Sequence, residues 1–273
     1  RPALAGASRS ICNPATGEEL ALVAAAEKGD VDDAVAVAQE ALASWRWLPA
    51  AGRSKVLLDV ADAIDSSAEE LAVIESLNTG RVIVETREDV AATSDLFRYF
   101  AGVVRGEEES IVRHNGTAMT LIYREPYGVV GQIVPWNFPI LIAGWKLAPA
   151  LAAGNTLLIK PASLTPLSLL ALAEITAGIV PPGVMNVLPG SGARCGTAIA
   201  EHPKISKLAF TGSTAVGKSI AAAAAERVVP VTLELGGKSA NIVFPDAPME
   251  RAVEAAAMAI LYGQGQVCSA GSR

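Results

Sequence analysis

The chain has 273 residues, of which 51% are hydrophobic and 18% charged, with a net charge of −6. That composition fits one large or two smaller globular domains with a well-buried interior, and it excludes a disordered chain. The acidic balance leaves no footprint for nucleic acid or an anionic membrane, and three scattered cysteines (Cys12, Cys195, Cys268) make neither a disulfide framework nor a metal cluster, so a reducing compartment and no metal are expected. No apolar run reaches the ~18 residues of a membrane span, since 147-LAPALAAG-154 is short and contains Pro149. Arg1, not Met, opens the sequence, which is compatible with a native N-terminus further upstream.

In chain order, the first third reads as helices. Asp30 is the expected N-cap of a helix over 30–45, and 54–67 and 67–80 repeat the helical spacing. The second of these carries a capping box (Ser67 with Glu70) and a stop at Gly80. A further helix is expected over 86–104, and 105-RGEEES-110 reads as a solvated loop. From residue 118 the period changes. Two strands are expected within 118–136, joined through Pro126 and Gly128. Strands over 155–160, 184–189, 206–211, 229–235 and 240–244 then alternate with helices over 138–154, 166–178, 214–226 and 248–263. Such alternation implies an α/β fold with a doubly wound parallel sheet, which binds ligands at the carboxyl ends of its strands.

Two chemistries compete for that edge. The stretch 212-GSTAVGKS-219 fits the GxxxxGK[ST] pattern of a P-loop, between a strand and a helix, and 242-IVFPD-246 could serve as its acidic partner. Any glycine-bounded strand-to-helix turn also cradles phosphate through backbone N–H groups, whatever the nucleotide. The choice comes from 133-IVPWNFP-139, 233-LELGGKS-239 and 264-QGQVCSAG-271 taken together. With 13-NPATGEE-19, 145-WKLAPALAAGNTLLIKPASLTP-166 and 209-AFTGSTAVGK-218, they resemble the aldehyde dehydrogenase family in the family's own order.

The resemblance implies a Rossmann variant with an N-terminal helical part (1–117), a segment linked to subunit assembly (118–132), a dinucleotide-binding domain (133–235) and the start of a catalytic domain (236–273). It implies oxidation of an aldehyde to a carboxylic acid through a cysteine thioester; the alternative of a non-catalytic protein on the same fold is disfavoured because Cys268, Glu234 and Asn137 are all intact. Cys268 matches the nucleophile, Asn137 the oxyanion donor, Glu234 the base of deacylation and Lys146 a lysine of the proton relay. Each has a plainer reading: Asn137 as a helix cap, Glu234 as a charge at a strand end, Lys146 as a solvated lysine. Cys12 and Cys195 read as buried small hydrophobes, whereas Cys268 sits among Gln, Ser and Gly. The resemblance carries an NAD or NADP cofactor to Ile133, Pro135, Trp136, Lys160, Ser163, Gly192, Gly196, Phe210, Gly212, Ser213, Gly217, Leu235 and Gly236. Ser163 stands where many NAD-preferring members carry a glutamate, which favours NADP. The family further implies a cytoplasmic homodimer or homotetramer and a second half beyond the cysteine, so these 273 residues alone are expected to have negligible activity.

Overall fold

The computed structural model describes residues 3–4, 6–106, 110–114 and 116–273. Two short strands, β1 (Ser8–Cys12) and β2 (Glu19–Ala24), open the chain as an antiparallel ribbon. The helical reading of the first third misses them, because a five-residue strand that buries only Ile11 carries little periodic signal. Four helices follow: α1 (Lys28–Trp45), α2 (Ala50–Ser66), α3 (Ala68–Thr79) and α4 (Ile83–Val103).

Two caps differ from expectation. Glu27, not Asp30, is the N-cap of α1. Asp30 lies one turn in, where its carboxylate accepts the Glu27 N–H (3.0 Å) and the Leu4 N–H (2.9 Å), closing a reciprocal box. Ser67 makes no side-chain cap for α3. It also ends α2, donating its N–H to Ala63 and Ile64, and its φ of −112° and ψ of 16° leave the extended geometry that an N-cap hydroxyl needs. Gly80 ends α3 as expected, in the left-handed region at φ 77°.

Of the expected loop 105–110, Arg105 and Gly106 are exposed, residues 107–109 lie outside the described residues, and Ser110 already begins β3 (Ser110–His114). This strand pairs antiparallel with β4 (Ala118–Ile122), and all ten of their residues are exposed. The two strands expected within 118–136 therefore belong to different sheets. The second, β5 (Val129–Ile133), is central to the parallel one and wholly buried.

From there strands and helices alternate: α5 (Pro139–Ala152), β6 (Thr156–Lys160), α6 (Leu167–Ile175), β7 (Met185–Val187), α7 (Thr197–Glu201), β8 (Lys207–Gly212), α8 (Thr214–Glu226), β9 (Val231–Leu235) and α9 (Met249–Leu261). The five-stranded sheet runs β7-β6-β5-β8-β9, all parallel, so the winding reverses between β5 and β8. Alternate residues of one strand feed two cores. Val129, Ile133 and Leu158 pack with α1, α7 and α8, while Val130, Leu157 and Ile159 pack with α2, α4, α5 and α6.

The strand expected over 240–244 does not form. Ile242 and Phe244 are 72% and 68% exposed, and the backbone beside them meets the last residue instead: Asn241 N–H donates to Arg273 O (2.6 Å), and Arg273 N–H to Ser239 O (3.2 Å). A strand exists only where a neighbour offers a ladder, and none among the described residues does.

Candidate active site

The carboxyl ends of the parallel strands assemble one edge. Ile133 pairs with Lys160 on one side and Phe210 on the other, so the exits of β5, β6 and β8 lie level. The exit of β5 carries Pro135, Trp136 and Asn137. Trp136 is half exposed, and its carbonyl accepts the Thr165 hydroxyl at 3.3 Å, which ties this exit to the loop after β6.

Lys160 is buried at the end of β6. Its ammonium donates to the carbonyls of Pro161 (2.7 Å) and Gly190 (3.1 Å). Burial lowers its pKa, and the nearby Cys195 thiol partly offsets that. The Ser163 hydroxyl donates to the same Gly190 oxygen at 3.0 Å. Gly190 has no room for a side chain: a Cβ would lie 2.6 Å from the Ala26 carbonyl and 2.7 Å from Cys195 Cβ. Gly192 and Gly196 bound a π turn in which the Ser191 hydroxyl accepts the Arg194 N–H. Gly196 is buried, and its missing Cβ would touch the Lys160 stem at 3.5 Å. Cys195 is fully buried, as expected. Cys12 is exposed at the end of β1, where alternation turns it away from the side that buries Ile11.

Gly212 closes β8, and Ser213 caps α8 with its own hydroxyl, which accepts the Val216 N–H at 3.4 Å. A Cβ on Gly212 would lie 2.6 Å from the Phe210 ring, and one on Gly217 would lie 2.5 Å from Leu235. These two glycines bring the helix start close to the sheet edge, and Gly236 lies open beside it. The first N–H groups of this 13-residue helix carry the positive end of its dipole, which favours an anion. Lys218 is exposed on the same helix.

The four expected catalytic residues fall in two groups. Asn137 is not a cap, because Phe138 holds that position and the Ile140 N–H is accepted by Glu75 at 3.1 Å. The Asn137 amide instead donates to Gln266 O at 2.7 Å, two residues before the exposed Cys268. Period two along β9 turns Leu233 and Leu235 toward the α8 core and Glu234 to the other face of the sheet. There Glu234 and the buried Lys146 of α5 line a cavity of about 1170 Å³, with Gln132, Trp145 and Lys207. Burial holds the Lys146 pKa down to about 8, against the raising effect of the Glu234 charge and with a further lowering from Lys207. The two groups connect through Gly237, whose missing Cβ would lie 3.8 Å from Cys268 O.

A charged cluster beneath Asn137 escapes the sequence reading. Arg81 is fully buried, paired with Asp89 and with Glu85 (3.2 Å), near the buried Glu75. Its only sequence signal is acids at i+4 and i+8, which reads as a solvated helix face.

Residues 4–273 match the model of the aldehyde dehydrogenase family. The chain belongs to that family. An aldehyde dehydrogenase of Vibrio cholerae serotype O1 is 46% identical over 268 residues, covering 96% of this chain and 53% of the relative. Among solved structures, PnpE of Pseudomonas sp. WBC-3 in complex with nicotinamide adenine dinucleotide is 48% identical with a TM-score of 0.97. The NAD+ complex of an aldehyde dehydrogenase from Bacillus cereus is 42% identical with a TM-score of 0.98. Each comparison covers 100% of this chain and 56% of the other. The chain thus spans about half the length of these relatives. The P-loop alternative finds no support: Gly217, central to that pattern, is buried against Leu235 as helix–strand packing. The edge of the sheet does suit a dinucleotide, because Gly212 and Gly217 let the N-terminus of α8 pack close against the strand exits.

Proposed function

We propose that this chain carries the nucleophile, the base and the dinucleotide cleft of an enzyme that oxidises an aldehyde to a carboxylic acid with NAD(P)+. The observation that carries the reading is the 2.7 Å bond from Asn137 to Gln266 O, which holds the amide beside the cysteine loop. An amide nitrogen has two donors, so one remains for an oxyanion.

In this reading the Cys268 thiolate adds to the carbonyl carbon, and the carbonyl oxygen becomes an oxyanion. Asn137 and the Cys268 N–H stabilise it, each worth about 3 kcal/mol of barrier. When bound, the nicotinamide accepts the hydride that leaves this carbon. Glu234 then takes a proton from water, the resulting hydroxide attacks the thioester, and the acid departs with the thiol restored. Lys146, neutral above about pH 8, is placed to exchange protons with Glu234. Ile133, Pro135 and Trp136 would hold the dinucleotide, with Gly212, Ser213 and Gly217 for its pyrophosphate and Lys160 and Ser163 for its adenosine ribose. Phe210, Leu235, Gly236 and the turn bounded by Gly192 and Gly196 frame it.

We extend the reading to NADP. A glutamate at position 163 would repel a 2′-phosphate, and Ser163 does not. Its hydroxyl already donates to Gly190 O, so the gain is a missing negative charge rather than an added donor.

The catalytic assignment is tested by rapid mixing at 340 nm. Cys268→Ser is expected to remove NAD(P)H formation while leaving dinucleotide binding intact. Glu234→Gln is expected to keep one burst of NAD(P)H and to slow steady turnover at least about a hundredfold. Loss of the burst in Glu234→Gln would remove its assignment as base.

A further inference from the structure

The two loops that carry Asn137 and Cys268 are joined by side chains from a third place, the junction of α3 and α4. Arg81 lies there with its guanidinium 3.9 Å from the centroid of Phe138 and 5.9 Å from that of Tyr262. Phe138 directly follows Asn137, and Tyr262 follows α9 and opens the turn toward Cys268. The two rings stack on each other, 6.2 Å apart and 15° from parallel.

Glu85 binds in two directions. One oxygen takes Arg81 at 3.2 Å, and the other accepts the Gly263 N–H at 3.1 Å. Gln264 reaches back to donate to Gly80 O at 2.8 Å. Gly263 is the point of closest approach. Its φ is +56°, and a Cβ on it would lie 3.3 Å from Val267, 3.4 Å from Phe138 and 3.7 Å from Arg81 Nε. Burying a guanidinium costs several kcal/mol unless it is paired on all sides. Two carboxylates and an aromatic face meet most of that need, and among the described residues Arg81 Nε has no hydrogen-bond partner. Apolar side chains in place of Arg81 and its acids together would fill the same space without that penalty. What Arg81 adds is direction, since its planar fork is fixed by Asp89 and Glu85 of α4 while its face meets the rings of Phe138 and Tyr262, one from each loop.

We propose that Arg81, with Glu85, is a positioning residue that sets the separation of Asn137 from Cys268. It touches neither substrate nor dinucleotide and acts through Phe138, Tyr262 and Gly263. The inference rests on the oxyanion role proposed for Asn137.

The test is the rate of the NAD(P)H burst in the full-length enzyme, in a cycle of Arg81→Met, Asn137→Ala and the double variant. Arg81→Met is expected to slow the burst about tenfold or more, with the dinucleotide Kd within about twofold of wild type. In the Asn137→Ala background the same substitution is expected to cost less than about threefold, because the group it positions is gone. A role confined to stability would cost the same in both backgrounds, and that result overturns the inference alone. An undiminished burst in Asn137→Ala overturns the oxyanion reading and the inference with it. If Arg81→Met does not fold, Gln264→Ala, at an exposed side chain, serves in its place. It is expected to slow the burst about threefold, and only when Asn137 is present. No effect in the wild-type background overturns the inference.

Discussion

Ser163 and Lys160 share one acceptor, the Gly190 carbonyl. A glutamate at 163 could not donate to that oxygen, and its charge would face the ribose. Ser163→Glu is therefore expected to shift kcat/KM toward NAD over NADP by about tenfold or more, roughly 1.4 kcal/mol. The measurement is kcat/KM for both cofactors in wild type and variant, and an unchanged ratio would sink the NADP reading. Cys268, Asn137 and Glu234 stand out in the sequence because each lies in a short motif of unusual composition, and their catalytic roles belong to the function proposed above. Glu75, Arg81, Glu85 and Asp89 do not stand out, because a charged residue declares its burial only through what covers it. The cover comes from Phe138 and Tyr262, far along the chain.

At the scale of elements, the long helices and the strands of the parallel sheet were legible from period alone, and α8 falls on 214–226 as expected. Where a segment's state depends on its neighbour, the pattern misled. The apolar run 240–244 has no ladder to join, and β1 and β2 form a ribbon that buries little. The order of strands rests on close approach at β5. A Cβ on Gly131 would lie 2.7 Å from Ile199 Cγ2 and 3.1 Å from Leu208, both in the core under α7 and α8. The Ile199 methyl is fixed at its branch, so relief requires α7 to move. Gly131→Ala is expected to destabilise the fold by about 1–3 kcal/mol, read as a lower denaturant midpoint at unchanged slope. A midpoint at or above wild type would show that α7 is more loosely seated than its packing indicates.

At the scale of the whole molecule, stability should depend on pH through Glu75. Burial raises this carboxyl to about 7, against the lowering effect of the nearby Ser168 hydroxyl and of the hydrogen bond from the Ile140 N–H. The folded state therefore holds a proton that the unfolded chain releases above about 4.5. The associated stability is fully present below pH 4.5 and is lost as pH rises through 7, on the order of 3 kcal/mol in all. Glu75→Gln is expected to flatten this part of the pH–stability curve between pH 5 and 8. Parallel curves for wild type and variant would exclude Glu75 as its source. The strand order has a consequence of another kind. Leu233 and Leu235 face one side of the sheet and Glu234 the other, only because β9 has a fixed number of residues between its entry and the Gly-Gly pair. Inserting or deleting one residue in β9 would turn the acid into the α8 core and a leucine into the Lys146 cavity. Such a change moves the carboxylate and breaks the packing together, although neither Glu234 nor a leucine has been replaced. Among natural variants of this strand, length should accordingly vary less than identity.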